Sequence, residues 1–283
     1  MLRKPLKAKA RQLLEGIWGR AIALLFYLVL ILLFFSVLEQ MIASFLRIQP
    51  LEQLLMPLFI YGKVTVYLSE LYQSALLWFG TLILTLTGIF PFLQGMYAWY
   101  YARSSGEIWA VSSAFHWFTA WSRFFHSLRC YYLLFFKRLL WSILFSLPAL
   151  GLYFVYVFSV VYRVDTWISF ILFFLCVGLE LLGLLFSWIV CYRYFLVVYI
   201  MCDDPTVRVR TAFKNSVYIM KHKKFELFAL DVSFLPYYLL NVLLIPCLWT
   251  FPYIQMTKAL YAKKYIMDYK NEFMQNTLNF KVD

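Results

Sequence analysis

The sequence predicts an all-α protein whose helices form a multi-span transmembrane bundle. Of the 283 residues, 64% are hydrophobic and 14% are charged, whereas soluble domains are about half apolar and a quarter charged. Three stretches, 71–102, 139–162 and 232–257, contain no charged residue. Each exceeds the roughly 20 helical residues that cross a hydrocarbon core about 30 Å thick. Because they are continuously apolar rather than alternating, they indicate helices and not barrel strands.

Residues 1–20 predict a basic amphipathic helix on the cytoplasmic side. They carry six Lys and Arg residues against one acid, Glu15. Their apolar residues recur at helical spacing, which suits a helix lying on a membrane: Leu6, Ala10, Leu13, Leu14 and Ile17. A flexible basic tail is the alternative. The run 21–38 is longer than a usual signal-peptide core and has no convincing small-residue cleavage site after it, so we interpret it as a retained first span.

The apolar runs predict one transmembrane helical domain over 21–262, followed by a cytoplasmic tail at 263–283. About six crossings are favoured over five, because one long last crossing would place a lysine-rich tail outside, against the positive-inside bias. The chain would then turn near 241–246. The predicted spans are 21–38, 71–101, 139–162, 167–201, 227–241 and 245–262.

Charge predicts the side on which each connection lies. Basic residues dominate 102–138 and 202–226, which predicts that both are cytoplasmic, whereas the nearly neutral segment 39–70 suits the outer face. The aromatic stretch 108–125 predicts either an interfacial helix or a buried connector.

Two predicted spans should be irregular. Gly88 and Pro91 should bend the second span, as membrane helices tolerate when neighbours satisfy the freed carbonyls. The segment 167–201 is 35 residues long, so it should tilt or extend beyond the bilayer at its Arg193 end.

A second basic amphipathic helix is predicted after Asp204-Pro205, because an aspartate caps helix amides and a proline suits the first helical position. Its apolar face is Val209, Phe213, Val217 and Met220. Its cations should contact the anionic lipid of the inner leaflet. They are Arg208, Arg210, Lys214, Lys221, Lys223 and Lys224.

Three polar side chains in or beside the spans are site candidates: Glu180, Asp231 and Arg193. A charge within a span costs on the order of 2.5–3.5 kcal/mol on insertion scales, so such residues are candidates for function. Glu180 lies between Gly178 and Gly183 and is either a protonatable or cation-binding group or a neutral, hydrogen-bonded packing residue. Asp231 should form a structural ion pair with Arg193 or a neighbouring lysine.

The sequence contains no pattern typical of a catalytic, metal or cofactor site. An enzyme would need a nucleophile with a base, paired carboxylates or a metal cluster in one pocket. The five cysteines form no CxxC pair, and the three histidines lack a metal-binding spacing. The formal charge of +12 is concentrated at the ends of apolar runs, which predicts topology signals rather than nucleic-acid binding. We therefore expect no metal, no cofactor and no enzymatic activity.

Motifs in the C-terminal third resemble those of a known bacterial family. They are Arg193-Tyr194, Asp203-Asp204-Pro205, Asn215-Ser216, Met220-Lys221, the block Leu227–Phe234, Pro252-Tyr253 and Tyr261. The stretch 7–21, with its Leu14, Gly16, Trp18 and Gly19, is also similar. On these residues the chain resembles the uncharacterised integral-membrane family known as domain of unknown function 975. The resemblance is best over 193–262 and implies a cytoplasmic-membrane protein with no established activity.

These observations predict a non-enzymatic, multi-pass protein of the bacterial cytoplasmic membrane. Its partners would be anionic inner-leaflet lipids or another membrane protein. The alternative is a small-solute or ion transporter that uses Glu180, and a membrane enzyme comes third. Proline-interrupted stretches around Pro91 and Pro246 occur in transporters, but no internal repeat accompanies them here.

Overall fold

The computed structural model describes residues 3–51, 68–163 and 165–279. Every regular element in these ranges is a helix, which confirms the predicted all-α class. The predicted outer segment 39–70 lies partly outside the described residues, at 52–67, as do the last four residues of the predicted tail.

The described residues form ten α-helices and four 3-10 helices. The α-helices are α1 (Arg3–Leu14), α2 (Trp18–Leu46), α3 (Leu68–Ser104), α4 (Trp121–Val161), α5 (Thr166–Cys191), α6 (Val197–Asp203), α7 (Val209–Ile219), α8 (Lys224–Val232), α9 (Leu235–Leu240) and α10 (Cys247–Asn279). The 3-10 helices are Val111–Phe118, Tyr192–Tyr194, Met220–His222 and Asn241–Leu243.

Four helical segments of the described chain are long and apolar enough to cross a membrane: Trp18–Leu46, Ser69–Ser104, Trp121–Val161 and Thr166–Asp203. A fifth candidate is the pair Lys224–Val232 and Leu235–Leu243, which is bent by 46°. The described residues therefore contain four to five candidate spans, and the predicted number of about six is slightly too high.

The sixth predicted span, 245–262, fails because its apolar part is too short. It belongs to α10, which is free of charged residues only as far as Thr257. Eleven helical residues extend about 16 Å, roughly half the thickness of a hydrocarbon core. The rest of α10 carries Lys258, Lys263 and Lys264, which would be costly to place in lipid.

The contacts divide the chain into two compact units, residues 13–128 and residues 1–12 with 129–283. Within the first unit, α2 packs on α3 and the 3-10 helix Val111–Phe118 packs on α3. This 3-10 helix buries Ala114 and Trp117. Trp121 and Phe125 of the same stretch are exposed, so the interfacial helix and the buried connector both stay predictions for 108–125.

Helix α4 begins 18 residues before the predicted start at Leu139. No glycine or proline occurs between Trp121 and Leu147, so nothing in the sequence ends the helix before its apolar part. The basic residues Lys137 and Arg138 consequently lie on a helix and not in a loop.

The long predicted segment 167–201 lies within the candidate span Thr166–Asp203, and its tilt, or its extension beyond the bilayer at the Arg193 end, stays a prediction. Helix α5 has 26 residues and is about 39 Å long, enough to cross a bilayer core alone. The 3-10 helix Tyr192–Tyr194 then separates it from α6.

The predicted helix start after Asp204-Pro205 is wrong, because α7 begins at Val209. The Asp204 carboxylate accepts hydrogen bonds from the Thr206 amide at 2.9 Å and the Thr206 hydroxyl at 2.6 Å. These two bonds hold the pKa of Asp204 below its usual value. Asp204 thus closes a local turn, an alternative that aspartate offers the backbone in place of a helix cap.

Helix α10 runs antiparallel to α8 and returns the chain to the level of α6. Three contacts join the part of α10 after its uncharged segment to residues before the apolar stretch 232–257: Lys270 with the Asp203 carboxylate, the Tyr265 hydroxyl with the Glu226 carboxylate, and the Tyr261 hydroxyl with the Lys223 carbonyl. The chain therefore enters and leaves this apolar stretch at the same end.

This return predicts the sidedness of two exposed positions. Thr211→Cys and Asn271→Cys, in a background without the five native cysteines, should react from the same side of the membrane. If both termini are cytoplasmic, as predicted, an impermeant maleimide added to intact cells should label Asp165→Cys in the α4–α5 turn. It should label the cysteines at positions 211 and 271 only after the cells have been permeabilised. Labelling of position 271 together with position 165 would contradict the return of α10.

Candidate functional site

A buried ion pair centred on Asp231 joins four elements of the second unit. Asp231 lies in the last turn of α8 and is 4% exposed. Its Oδ1 lies 2.9 Å from Lys258 Nζ of α10, and its Oδ2 accepts a hydrogen bond of 2.5 Å from the Tyr192 hydroxyl. Lys258 also donates to the Tyr238 hydroxyl of α9 at 3.5 Å. A carboxylate this deeply buried needs such partners, because desolvation of an unpaired charge is very costly.

The local sequence explains why α8 ends beside Asp231. Pro236 has no amide hydrogen with which to bond the carbonyl of Val232, four residues earlier, so α8 cannot continue through it. The Ser233 hydroxyl donates to the Leu230 carbonyl at 2.5 Å and satisfies one of the acceptors left at the helix end. The resulting bend follows directly after Asp231.

The basic N-terminal helix is attached at this same bend. Lys7 of α1 donates to the Ser233 carbonyl at 2.9 Å, and its Nζ lies 4.1 Å from the ring centroid of Phe234. Ala10 and Leu14, on the predicted apolar face of α1, are fully buried. Residues Arg3–Leu14 form a helix rather than a flexible tail, and the apolar side of this helix is covered by protein. The cytoplasmic location of residues 1–20 stays a prediction.

Arg193, one of the two partners predicted for Asp231, is directed elsewhere. Its guanidinium carbon lies 5.2 Å from the Trp141 ring centroid. Its backbone carbonyl accepts a hydrogen bond of 2.8 Å from the Ser216 hydroxyl. Its Nε is buried and has no hydrogen-bond partner among the described residues. The structure gives Asp231 a lysine partner instead, Lys258.

Glu180 lies in the α4–α5 hairpin, where it is half-buried. Its Oε1 accepts a hydrogen bond of 2.9 Å from the Ser146 hydroxyl of α4. Of its two neighbouring glycines, only Gly183 marks a close approach: a Cβ there would lie 2.6 Å from the Phe145 carbonyl oxygen, whereas Gly178 has open space. The hydrogen bond fits the packing alternative, and a cation-binding role stays a prediction.

The six basic residues predicted to form a surface after Asp204 differ in their exposure. Arg208, Arg210, Lys214 and Lys221 are exposed, and Lys223 and Lys224 are half-buried. The side of α7 that carries Val209, Ala212 and Phe213 is buried. Because its apolar side is occupied by protein, α7 presents its charged side outwards.

Aromatic residues secure the start of α8 against α10. The Tyr265 hydroxyl donates to the Glu226 carboxylate, and the Lys223 Nζ lies 5.3 Å from the Tyr265 ring centroid. Burial raises the pKa of Tyr265 first, and the hydrogen bond to Glu226 raises it further. Tyr265 therefore stays a neutral donor across the physiological pH range.

Sequence reasoning missed Lys258, Tyr192 and Tyr238 as members of the Asp231 site. One signal could have identified Lys258: Asp231 and Lys258 are the two charges that bound the uncharged run 232–257. If such a run turns back on itself, opposite charges at its two ends come together. The tyrosines had no comparable signal, because 22 tyrosines are spread along the chain.

The described geometry supports a structural or binding role for these polar groups. No three His, Cys, Asp or Glu side chains lie close enough to hold a metal ion in the part of the chain that the structure describes. Asp231 is already paired and hydrogen-bonded, and Glu180 has a hydroxyl partner. Such groups fix the packing of helices on one another.

Comparison with known proteins identifies a family. Neither a search of the curated proteins nor a search of the solved structures found a match. One family model, described as Protein of unknown function (DUF975), matches residues 1–267. This match includes the Leu227–Phe234 block with Asp231 and confirms the resemblance seen in the motifs. The chain belongs to the DUF975 family.

Proposed function

We propose that this protein is a non-enzymatic protein of the bacterial cytoplasmic membrane whose basic surface contacts the anionic lipids of the inner leaflet. The observation that carries the proposal is the orientation of α7. Its apolar side is buried on protein while Arg208, Arg210, Lys214 and Lys221 are exposed. A surface of this kind attracts a partner through charge rather than through insertion.

The position of these cations favours a lipid partner. Arg208 follows the end of the candidate span Thr166–Asp203 by five residues, which favours a position near a membrane surface. A leaflet rich in anionic lipid attracts each nearby Lys or Arg by about 1 kcal/mol. The positive-inside bias of the basic segments favours the cytoplasmic leaflet.

Charge-driven contact has a specific dependence on salt. The electrostatic attraction decays over a Debye length of about 10 Å at 0.1 M salt and about 3 Å at 1 M. A helix that inserted its apolar side would keep most of its membrane contact at high salt. The buried apolar side of α7 therefore predicts a lipid preference that high salt removes.

Reconstitution of the full chain tests this proposal. Bilayers of phosphatidylcholine would contain traces of spin-labelled phosphatidylglycerol or phosphatidylcholine, and the preference of the protein for the anionic label would be measured at 0.1 M and 1 M salt. We expect a several-fold preference at low salt that largely disappears at high salt. Replacing Arg208, Arg210, Lys214 and Lys221 by glutamine should remove most of it.

A charge-conserving variant provides the matched control. Arg208→Lys with Arg210→Lys keeps the charge and changes only the head-group geometry, so it should keep the preference. A glutamine variant with an unchanged preference for the anionic label would overturn the proposed contact.

A further inference from the structure

A second group of basic residues lies at one end of the α4–α5 hairpin. It consists of Lys137 and Arg138 of α4, Arg193 after α5, and Lys224 at the start of α8. We call these four residues the cationic cluster. Arg138 and Arg193 both lie near the Cys191 sulfur, where their charges would favour its thiolate form. Arg193 and Lys224 interact with each other as like charges.

Aromatic rings hold the cationic cluster together in place of acids. Lys137 Nζ lies 5.7 Å from the Tyr194 ring centroid and 5.6 Å from that of Phe213. The Trp141 indole, which lies under Arg193, donates to the Tyr194 hydroxyl at 3.2 Å. The faces of these rings attract cations but do not neutralise them.

The cationic cluster lacks a compensating anion within the described residues. Ion pairs elsewhere in the described residues are made by Lys223, Lys258 and Lys270. None of these lysines is a member of the cationic cluster. Lys137, Arg193 and Lys224 are half-buried, where like-charge repulsion is less screened than in bulk water. The buried Arg193 Nε also has no hydrogen-bond partner there. Converging, half-buried cations of this kind are the chemistry that recognises a phosphate group.

The place of the cationic cluster in the hairpin favours the phosphate of a lipid. Trp141 and the turn after Val161 are separated by 20 residues of α4, or about 30 Å, which is the thickness of a hydrocarbon core. If the turn lies at one membrane surface, the cluster lies at the other.

An apolar strip extends from the cationic cluster along the same helix. Leu140, Leu144 and Leu147 follow Lys137 by three, seven and ten residues, so they share its helix face. They are 66%, 50% and 53% exposed. A phospholipid whose headgroup lay at the cluster would have this strip beside its acyl chains.

We propose that the cationic cluster binds the phosphate group of one anionic phospholipid. The inference rests on the proposed function and deepens it: the exposed surface of α7 would attract anionic lipid collectively, whereas the cluster would hold one molecule. The same chemistry would accept a soluble phosphate ester, and the exposed leucine strip is the observation that favours the lipid.

Native mass spectrometry of the full chain in a neutral detergent tests the cationic cluster, with phosphatidylglycerol and phosphatidylcholine as probes. The wild-type protein should retain one phosphatidylglycerol molecule in preference to phosphatidylcholine. Arg193→Gln should reduce the retained fraction roughly tenfold, as expected for loss of a charged hydrogen-bond partner, and Arg193→Lys should restore part of it. Retention by Arg193→Gln equal to that of the wild type would overturn the proposal.

Two further comparisons separate the possible explanations. Lys137→Gln, at a half-buried position on the continuous helix α4, should also lower retention, so the test does not depend on whether Arg193→Gln folds. Arg129→Gln, at an exposed position on α4 two turns before Lys137, removes one positive charge outside both the cluster and the α7 surface and should leave the retained lipid in place. Loss of retention in this control to the same extent as in Arg193→Gln would overturn a discrete site, whereas the spin-label experiment decides the collective contact independently.

A soluble-phosphate arm identifies the source of the phosphate group. Glycerol phosphate and inorganic phosphate, added at millimolar concentration, should fail to displace the retained lipid. Displacement by either would support a phosphate site and overturn its assignment to a phospholipid.

Discussion

Replacing Lys258 by methionine should lower the free energy of unfolding by about 3–5 kcal/mol, the usual cost of removing one partner from a buried ion pair. Asp231 is 4% exposed, so its carboxylate would keep the Tyr192 hydrogen bond but lose the only cation that the described structure pairs with it. The loss would be measured by titrating the detergent-solubilised protein with sodium dodecyl sulfate and following its helicity.

The double variant Asp231→Asn with Lys258→Met is the decisive control. It removes both charges and leaves a side chain at position 231 that can still accept the Tyr192 hydrogen bond, so it should recover most of the lost stability. Lys214→Met, at an exposed site, should change stability by less than about 0.5 kcal/mol. A Lys258→Met protein as stable as this control would refute a stabilising role for the pair.

Gly95→Ala should destabilise the unit formed by residues 13–128 by about 3 kcal/mol or more, beyond the usual range for overpacking. A Cβ at position 95 would lie 1.8 Å from the carbonyl oxygen of Ala114 and 2.6 Å from its carbonyl carbon. Both are backbone atoms, so the 3-10 helix Val111–Phe118 would have to move away from α3. The same denaturant titration would measure the loss, and the hydrogen bond from the Trp99 indole to the Trp109 carbonyl should weaken with it.

Gly80→Ala on the same helix is the matched control. Beyond the backbone of its own helix, no heavy atom lies within 4 Å of the Cβ that this substitution would add, and alanine is the better helix former. Gly80→Ala should therefore cost no stability. Equal stability of the two variants would mean that Val111–Phe118 does not pack on α3 as described.

Hydrophobicity predicted the apolar parts of the helices better than the residues at which the helices begin and end. The uncharged run 139–162 correctly located the apolar part of α4, but the helix starts at Trp121 because no glycine or proline stops it earlier. Asp204-Pro205 has the composition of a helix start, yet the Thr206 amide and hydroxyl compete for the same carboxylate. Such local competition depends on backbone geometry, which composition does not specify.

The polar candidates were recognised from the sequence more easily than their partners. Asp231 and Glu180 were conspicuous because charge is rare in apolar runs, and the structure gives both of them partners. Arg193 was predicted as one possible ion-pair partner of Asp231, but its side chain packs on Trp141. Identifying Lys258 required knowing that 232–257 turns back, which is a tertiary property.

The antiparallel return of α10 also sets an order of events during synthesis. Asp231 is translated 27 residues before Lys258, which corresponds to roughly 1–5 s at the usual elongation rates of about 5–20 residues per second. During this interval the nascent chain contains the Asp231 carboxylate next to an apolar segment. Its counter-ion, Lys258, has not yet been synthesised. A message truncated before codon 258 would make this condition permanent, because its product would contain the Asp231 carboxylate without the lysine that pairs with it.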